Sequence, residues 1–329
     1  MTKVLCFGSI SIDEFLHVPH IVETGETIAS TEQTVKAGGK GANQSVALAK
    51  AGANVYHAGI IGKEASWVRE YMASVGVEVD HIMVSETEAT GRAIIQLSTT
   101  THDNAIVLVP GANHTITSAF AQTVLEDFGH GDWILQQNEI SSGGDIMRMA
   151  ANRGLFVCFN PAPLTSSLRS TFPLQQVTIM ILNEGEARDL HIQHSNSNVV
   201  TSHKATAHTL LNLYPRMRGV VITLGGEGLV ALFRGPSGAA REFELPVEKA
   251  DVRDTTAAGD CFTGYFLASL IRESSLQTKA QIEDEAYFTT VRCALREANA
   301  AASLSVEKHG SMESIPLVAE VKERLAKNA

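Results

Sequence analysis

Asp254-Thr255-Thr256-Ala257-Ala258-Gly259-Asp260 places two carboxylates around a run of small residues. The apolar, helix-compatible stretch Cys261-Phe262-Thr263-Gly264-Tyr265-Phe266-Leu267-Ala268-Ser269-Leu270 follows directly. A helix starting near Ala258 leaves the backbone N–H groups of Ala257, Ala258 and Gly259 converging at its positive end, where an anion is favoured. Small side chains let a phosphate touch the backbone itself. Asp260 then falls in the first turn, within reach of a hydroxyl held against that anion. A general base beside an anion hole is the minimum apparatus for moving a phosphoryl group onto an alcohol. The plainer reading is an Asp-rich helix start with ordinary capping.

A second stretch favours the chemical reading. Ala37-Gly38-Gly39-Lys40-Gly41-Ala42-Asn43-Gln44 precedes an alanine-rich segment of helical character, Ser45–Ala51. Its glycines let the chain turn tightly and approach a ligand, and Asn43 supplies both a donor and an acceptor. Upstream, Gly8-Ser9-Ile10-Ser11-Ile12-Asp13 reads as a hydrophobic strand ending in a carboxylate suited to paired sugar hydroxyls. In these motifs the chain resembles the ribokinase-like (PfkB) carbohydrate kinases, and it does so over almost its full length. The resemblance also rests on Pro110-Gly111-Ala112-Asn113, Asn160-Pro161-Ala162-Pro163, Asn183-Glu184-Gly185-Glu186 and Thr223-Leu224-Gly225, all in family order.

That resemblance implies an ATP-dependent kinase acting on the 5-hydroxyl of D-ribose, with Asp260 as base and the N–H groups of Ala257, Ala258 and Gly259 as anion hole. Ser11, Asp13, Gly39, Lys40, Gly41, Ala42, Asn43 and Glu139 would hold the sugar. The nucleotide would meet Asn183, Glu186, Thr223, Leu224, Gly225, Gly226, Glu227, Gly228, Gly259 and Asn299. Mg²⁺ would accompany ATP, and K⁺ would sit among Asp254, Thr256, Ser305, Lys308, Gly310 and Ser314. Each assignment has a plainer rival. Asn183 and Glu186 suit a helix cap, Thr223 to Gly228 a simple hairpin, and Asp254 a turn cap before a surface loop. Another sugar or nucleoside kinase of the family remains an alternative, although a base pocket wants aromatics and only 6% of the chain is aromatic. A catalytically silent sugar-binding regulator is the rival from another class, and it has no use for a base. The segment Gly62-Lys63-Glu64-Ala65-Ser66-Trp67 departs from the family pattern, and altered packing is expected there.

Composition narrows the field. A net charge of −10 and the absence of basic runs argue against a nucleic-acid surface. Local helix N-termini still permit nucleotide binding. Cys6, Cys158, Cys261 and Cys293 are far apart, without metal spacing, and read as buried free thiols in a reducing compartment. The pairs His17/His20 and His191/His194 lack a third ligand and read as surface pairs. No leader or long apolar run is evident, so a cytoplasmic protein that binds no membrane is expected, with organellar import left open.

The elements that must position these groups alternate. Apolar strands are predicted at Val4–Ile10, Asn54–Ile61, Trp133–Gln137, Leu155–Phe159, Thr178–Leu182, Gly219–Leu224 and Gly228–Phe233. Helices are predicted at Gln44–Ala51, Ala65–Val75, Gly144–Asn152, His203–Leu213, Cys261–Arg272 and Ala286–Leu304. This pattern implies an α/β fold, a mostly parallel central sheet flanked by helices, within one domain spanning 1–329. Glu14–Val18, Ser30–Lys36, Gly91–Ser98 and Asn104–Val109 fall outside that scheme, the last two forming a hairpin around Thr99–Asp103. By resemblance these stretches, from about 13–37 and 90–110, form a small β lid that pairs with a second subunit in a homodimer. Their rival reading is an edge extension of the main sheet. His191–Val200 is polar and reads as a surface loop.

Overall fold

The structure, a computed structural model, describes residues 2–101, 103–195, 202–276 and 283–327. Its strands are β1 (Lys3–Phe7), β2 (Ser11–Val18), β3 (Glu32–Gly38), β4 (Asn54–Gly62), β5 (Ile82–Ser85), β6 (Gly91–Ser98), β7 (Asn104–Val109), β8 (Trp133–Gln136), β9 (Phe156–Phe159), β10 (Ile179–Asn183), β11 (Gly219–Thr223), β12 (Leu229–Arg234) and β13 (Ala240–Leu245). Its helices are α1 (Lys40–Lys50), α2 (Ser66–Ser74), α3 (Ser118–Leu125), α4 (Gly143–Asn152), α5 (Leu168–Thr171), α6 (Glu184–Ser195), α7 (His203–Leu213), α8 (Ala258–Leu276), α9 (Asp284–Ser305) and α10 (Val318–Lys327).

Nine strands form the central sheet in the order β13-β12-β11-β10-β9-β8-β1-β4-β5. Pairing is parallel from β5 across to β11, and antiparallel only where β12 and β13 complete the edge. Side-chain alternation along β1 divides the core: Val4 and Cys6 pack on the face that carries α1, α8 and α9, Leu5 and Phe7 on the opposite face. The parallel strands all finish at one edge, where Ser9, Gln137, Glu139, Asn160, Asn183 and Thr223 gather. Ligand sites of open α/β sheets lie at that edge.

The four outlying stretches form their own sheet, ordered β3-β2-β6-β7, rather than an extension of the central one. β2 pairs antiparallel with β3 and parallel with β6, which pairs antiparallel with β7. The hairpin turn is as expected, although His102 lies outside the described residues.

Several boundaries differ from expectation. The strand at Gly8–Asp13 does not exist as one piece: β1 stops at Phe7, and Asp13 is the third residue of β2 in the smaller sheet. The break falls where Gly8 and Gly41 cross, since a Cβ on Gly41 would lie 2.6 Å from the Gly8 carbonyl carbon. α1 begins at Lys40, so half of the glycine-rich loop is already helix. The His191 stretch is no loop: α6 runs to Ser195 and buries His191, because Leu190 and His191 continue its inner face, while 196–200 lie outside the described residues. The Gly62–Trp67 departure forms a 3-10 turn entering α2, with the Glu64 carboxylate accepting from the Thr90 N–H at 2.7 Å. Cys6, Cys158 and Cys261 are buried free thiols, but Cys293 lies on the exposed side of α9.

Candidate active site

Asp260 occupies the first turn of α8 and is only 9% exposed. Two amides from α1 reach it: Asn43 Nδ2 donates to Oδ2 at 3.0 Å, and Gln44 Nε2 donates to Oδ1 at 2.8 Å. The two helices approach closely because Gly264 lacks a Cβ, which would stand 2.5 Å from the Cβ of Ala47 and 2.8 Å from the Gln44 carbonyl oxygen. Desolvation pushes the Asp260 carboxyl above its ordinary value, opposed by the Lys40 charge and the two amide donors. Such a group accepts a proton more readily than a surface aspartate, as a general base should.

The chain reaches α8 through a turn in which Ala257 has φ +59°, a left-handed conformation that alanine adopts at a cost. The N–H groups of Ala257 and Gly259 have no backbone partner among the described residues, and the space where a Gly259 side chain would begin is open. The Ala258 N–H donates to the Thr255 carbonyl at 3.3 Å, so it is less available than the sequence suggested. A cavity of about 160 Å³ opens there, walled by Lys40, Asn160, Asn183, Glu186, Thr223 and Ala257–Asp260 among others.

Around Lys40 the charges converge. Its amine is driven down by burial, but the carboxylates of Asp260, Glu139, Glu186 and Asp13 outweigh this and hold it above its ordinary value. Lys40 Nζ lies 3.9 Å from Glu139 Oε1. Glu139 Oε2 accepts from Ser9 Oγ at 2.5 Å and from the Lys40 N–H at 3.2 Å, which fixes it over the start of α1. Asp13 is buried beside Gly38, where a Cβ would sit 2.1 Å from Asp13 Oδ2, and it accepts from Ser11 Oγ at 2.8 Å. Burial raises the Asp13 carboxyl to about 6; Ser11 opposes this, Glu139 and Asp260 add to it, and Lys40 relieves it. Asn43 Oδ1 is a buried acceptor with no partner in the structure, as a site for a donor hydroxyl requires.

Not every expected residue meets the cavity directly. Asn183 and Glu186 line it, yet they also form the reciprocal cap weighed against the nucleotide reading. The Asn183 N–H donates to Glu186 Oε2 at 2.9 Å, and the Glu186 N–H donates to Asn183 Oδ1 at 2.8 Å. Thr223 is a wall, whereas Leu224, Gly225, Gly226, Glu227 and Gly228 form the turn of the β11–β12 hairpin beyond it. Asn299 Nδ2 donates to the Pro246 carbonyl at 2.7 Å, so its amide fixes the chain after β13. Around Asp254, Oδ1 accepts from the Thr256 N–H and Oδ2 from the Gly310 N–H, each at 2.9 Å. Burial alone would raise this carboxyl, but those donors hold it below its ordinary value. Ser305 and Ser314 are buried, and Ser311 Oγ donates to the Ala37 carbonyl at 2.6 Å, so this is not a surface loop. Lys308 turns away to Glu320 at 2.9 Å. Sequence reading passed over Ser9 and gave Gln44 no role; each acts on a partner more than 100 positions away.

The model of the pfkB family carbohydrate kinases matches residues 1–317. The chain belongs to this family. It is 32% identical to the ribokinase of Haemophilus influenzae over 99% of both chains. It is 31% identical to that of Bacillus subtilis over 99% of this chain and all of the other. Among solved structures, the ribokinase of Cryptococcus neoformans var. grubii in complex with ADP is 36% identical, with a TM-score of 0.81 over 98% of this chain and 100% of its own. For a carbohydrate kinase, a buried carboxylate facing free helix-terminal N–H groups is the arrangement the chemistry asks for.

Proposed function

We propose that this carbohydrate kinase transfers the γ-phosphoryl group of ATP to the 5-hydroxyl of D-ribose, giving ribose 5-phosphate and ADP. The observation that carries the reading is Asp260, buried at the start of α8 between two amide donors and opening onto the N–H groups of Ala257 and Gly259. Likeness to ribokinases over nearly whole chains supports the sugar. Asp260 takes the proton as the hydroxyl attacks, and the free N–H groups stabilise charge spreading over the transferring group. Asp13, Asn43 and Glu139 accept from sugar hydroxyls, with Ser11, Gly39, Gly41 and Ala42 shaping the pocket. Lys40 balances the carboxylates and faces the phosphates. Asn183, Glu186, Thr223 and the turn to Gly228 border the nucleotide.

The oxygen donors fit the ions this chemistry uses. Glu186 and Asn183 line the cavity, and Mg²⁺ favours a few carboxylate oxygens together with phosphates. Mg²⁺ would supply charge neutralisation between the phosphates. A monovalent K⁺ suits the Asp254 turn and the loop of Ser305, Lys308, Gly310 and Ser314, in which Ser305, Gly310 and Ser314 are buried, with several oxygens coming from the backbone. The smaller sheet acts as a lid that excludes water, the competing acceptor. Its outer strand β7 leaves Ile106, Val107, Leu108 and Val109 exposed in succession, so we propose a homodimer through this sheet. The unit is one α/β domain over 1–329, working in the cytoplasm.

Release of ADP from ATP, measured over a panel of pentoses, hexoses and nucleosides, tests the substrate. D-ribose should give the highest kcat/KM by at least about tenfold. A nucleoside in first place would replace ribose as the acceptor, and no turnover with any of them would favour a silent binding protein.

A further inference from the structure

Gln44 is fully buried on α1, and its amide makes three contacts. Nε2 donates to Asp260 Oδ1 at 2.8 Å and to Asn160 Oδ1 at 3.0 Å, while Oε1 accepts from Gln137 Nε2 at 2.6 Å. Gln137, 1% exposed just beyond β8, also faces Cys6 Sγ at 3.7 Å. These partners leave the Gln44 amide one orientation: two acceptors lie on its NH₂ side and one donor on its carbonyl side. A flipped amide would set oxygen against a carboxylate. Asn43 takes the other oxygen of Asp260 at 3.0 Å, so each carboxylate oxygen has one neutral amide donor and keeps lone-pair capacity for a substrate hydroxyl.

We infer that Gln44, held in register by Gln137, is a positioning residue for phosphoryl transfer: it aims the Asp260 carboxylate at the acceptor hydroxyl. The inference rests on Asp260 being the base. A neutral donor suits the task. A cation bonded at this point would stabilise the carboxylate so strongly that it became a poor base, whereas an apolar neighbour would leave it protonated in a buried site. Asn160, whose Nδ2 donates to the Ile181 carbonyl at 2.9 Å, anchors the same amide to β10.

The test compares Gln44→Met, Gln137→Met and Asp260→Asn with the wild type. kcat is followed from pH 5 to 9, and ribose and ATP affinities are measured by calorimetry. For Gln44→Met we expect kcat at pH 7 to fall by about 10- to 100-fold, with its acid limb displaced upward by about one pH unit, so that raising the pH restores activity. Both affinities should stay within about threefold. Gln137→Met, which does not touch Asp260, should move the limb the same way by less, and it carries the test if Gln44→Met fails to fold. An unmoved acid limb, with losses confined to KM or thermal stability, would reduce Gln44 to packing and overturn the inference while an inactive Asp260→Asn upheld the base. Substantial activity in Asp260→Asn would overturn both.

Discussion

Asp13 shows what the proposed sugar site costs the fold. Its carboxyl stands at about 6 in the folded protein against an ordinary 3.8. Between those values the folded state binds more protons than the unfolded one, so stability falls as pH rises through that window and stays lower above it. Asp13→Asn keeps the size and a partner for Ser11 but removes the buried charge. The ligand-free variant should therefore be more stable above pH 6 by on the order of 1–3 kcal/mol, with no gain below pH 3.8. The same change should weaken ribose binding by about 1.5–3 kcal/mol, since a charged acceptor is lost. Melting curves at pH 8 and pH 3.5, with ribose calorimetry at pH 8, check both halves. Equal melting temperatures at pH 8 would deny the strain, and unchanged affinity would remove Asp13 from the sugar site. The types and local spacing of Asp13, Asn43 and Asp260 were legible in the sequence because small residues and glycines mark where backbone must approach a ligand. The tertiary bonds were not. Gln44 meets Asp260 across 216 positions and Ser9 meets Glu139 across 130, and no local pattern encodes such pairs.

Among elements, α1 and α8 decide the site, because their contact at Gly264 sets Asn43 and Gln44 against Asp260, the proposed base. Most strands and helices matched their periodicity within a residue or two. β5 and β13 escaped notice, being short or alternating edge pieces with weak apolar signal. α3 and α10 escaped as well; tertiary packing, not propensity, makes such short helices worthwhile. The loop from Ser305 to Ser314, bonded to Asp254 through the Gly310 N–H, is the element on which the proposed potassium site stands. K⁺ should raise kcat well above its value in Na⁺ or a bulky organic cation at matched ionic strength, because loop carbonyls fit a large, weakly hydrated ion. Asp254→Ala should abolish that difference. Equal rates in all three salts would discard the cation site and leave the kinase reading intact.

For the molecule as a whole, the resemblance carried the division into a main sheet and a separate lid sheet. Alternation alone left an edge extension open, since a strand's register does not say which sheet it joins. The lid strand β7 breaks the usual in–out rule: Val107 and Leu108 are 59% and 60% exposed, although neighbours in a strand face opposite ways. Such a strand needs cover on both faces, which a second copy would provide. Leu108→Asp should convert the proposed dimer to monomer in light scattering and weaken ribose retention through a looser lid; a wild-type monomer at micromolar concentration would contradict the assembly.

Sheet, lid and helix ends serve one proposed transfer, from ATP to a ribose hydroxyl activated by Asp260. Its most direct measurement is phosphorus NMR of the product formed from ATP, Mg²⁺ and D-ribose by the wild type and by Asp260→Asn at equal folded concentration. The wild type should give ribose 5-phosphate in step with ADP. The variant should bind ATP normally and form product at least about a hundredfold more slowly. Phosphorylation at another position would contradict the acceptor assignment, and a variant that keeps more than about a tenth of the wild-type rate would contradict the base.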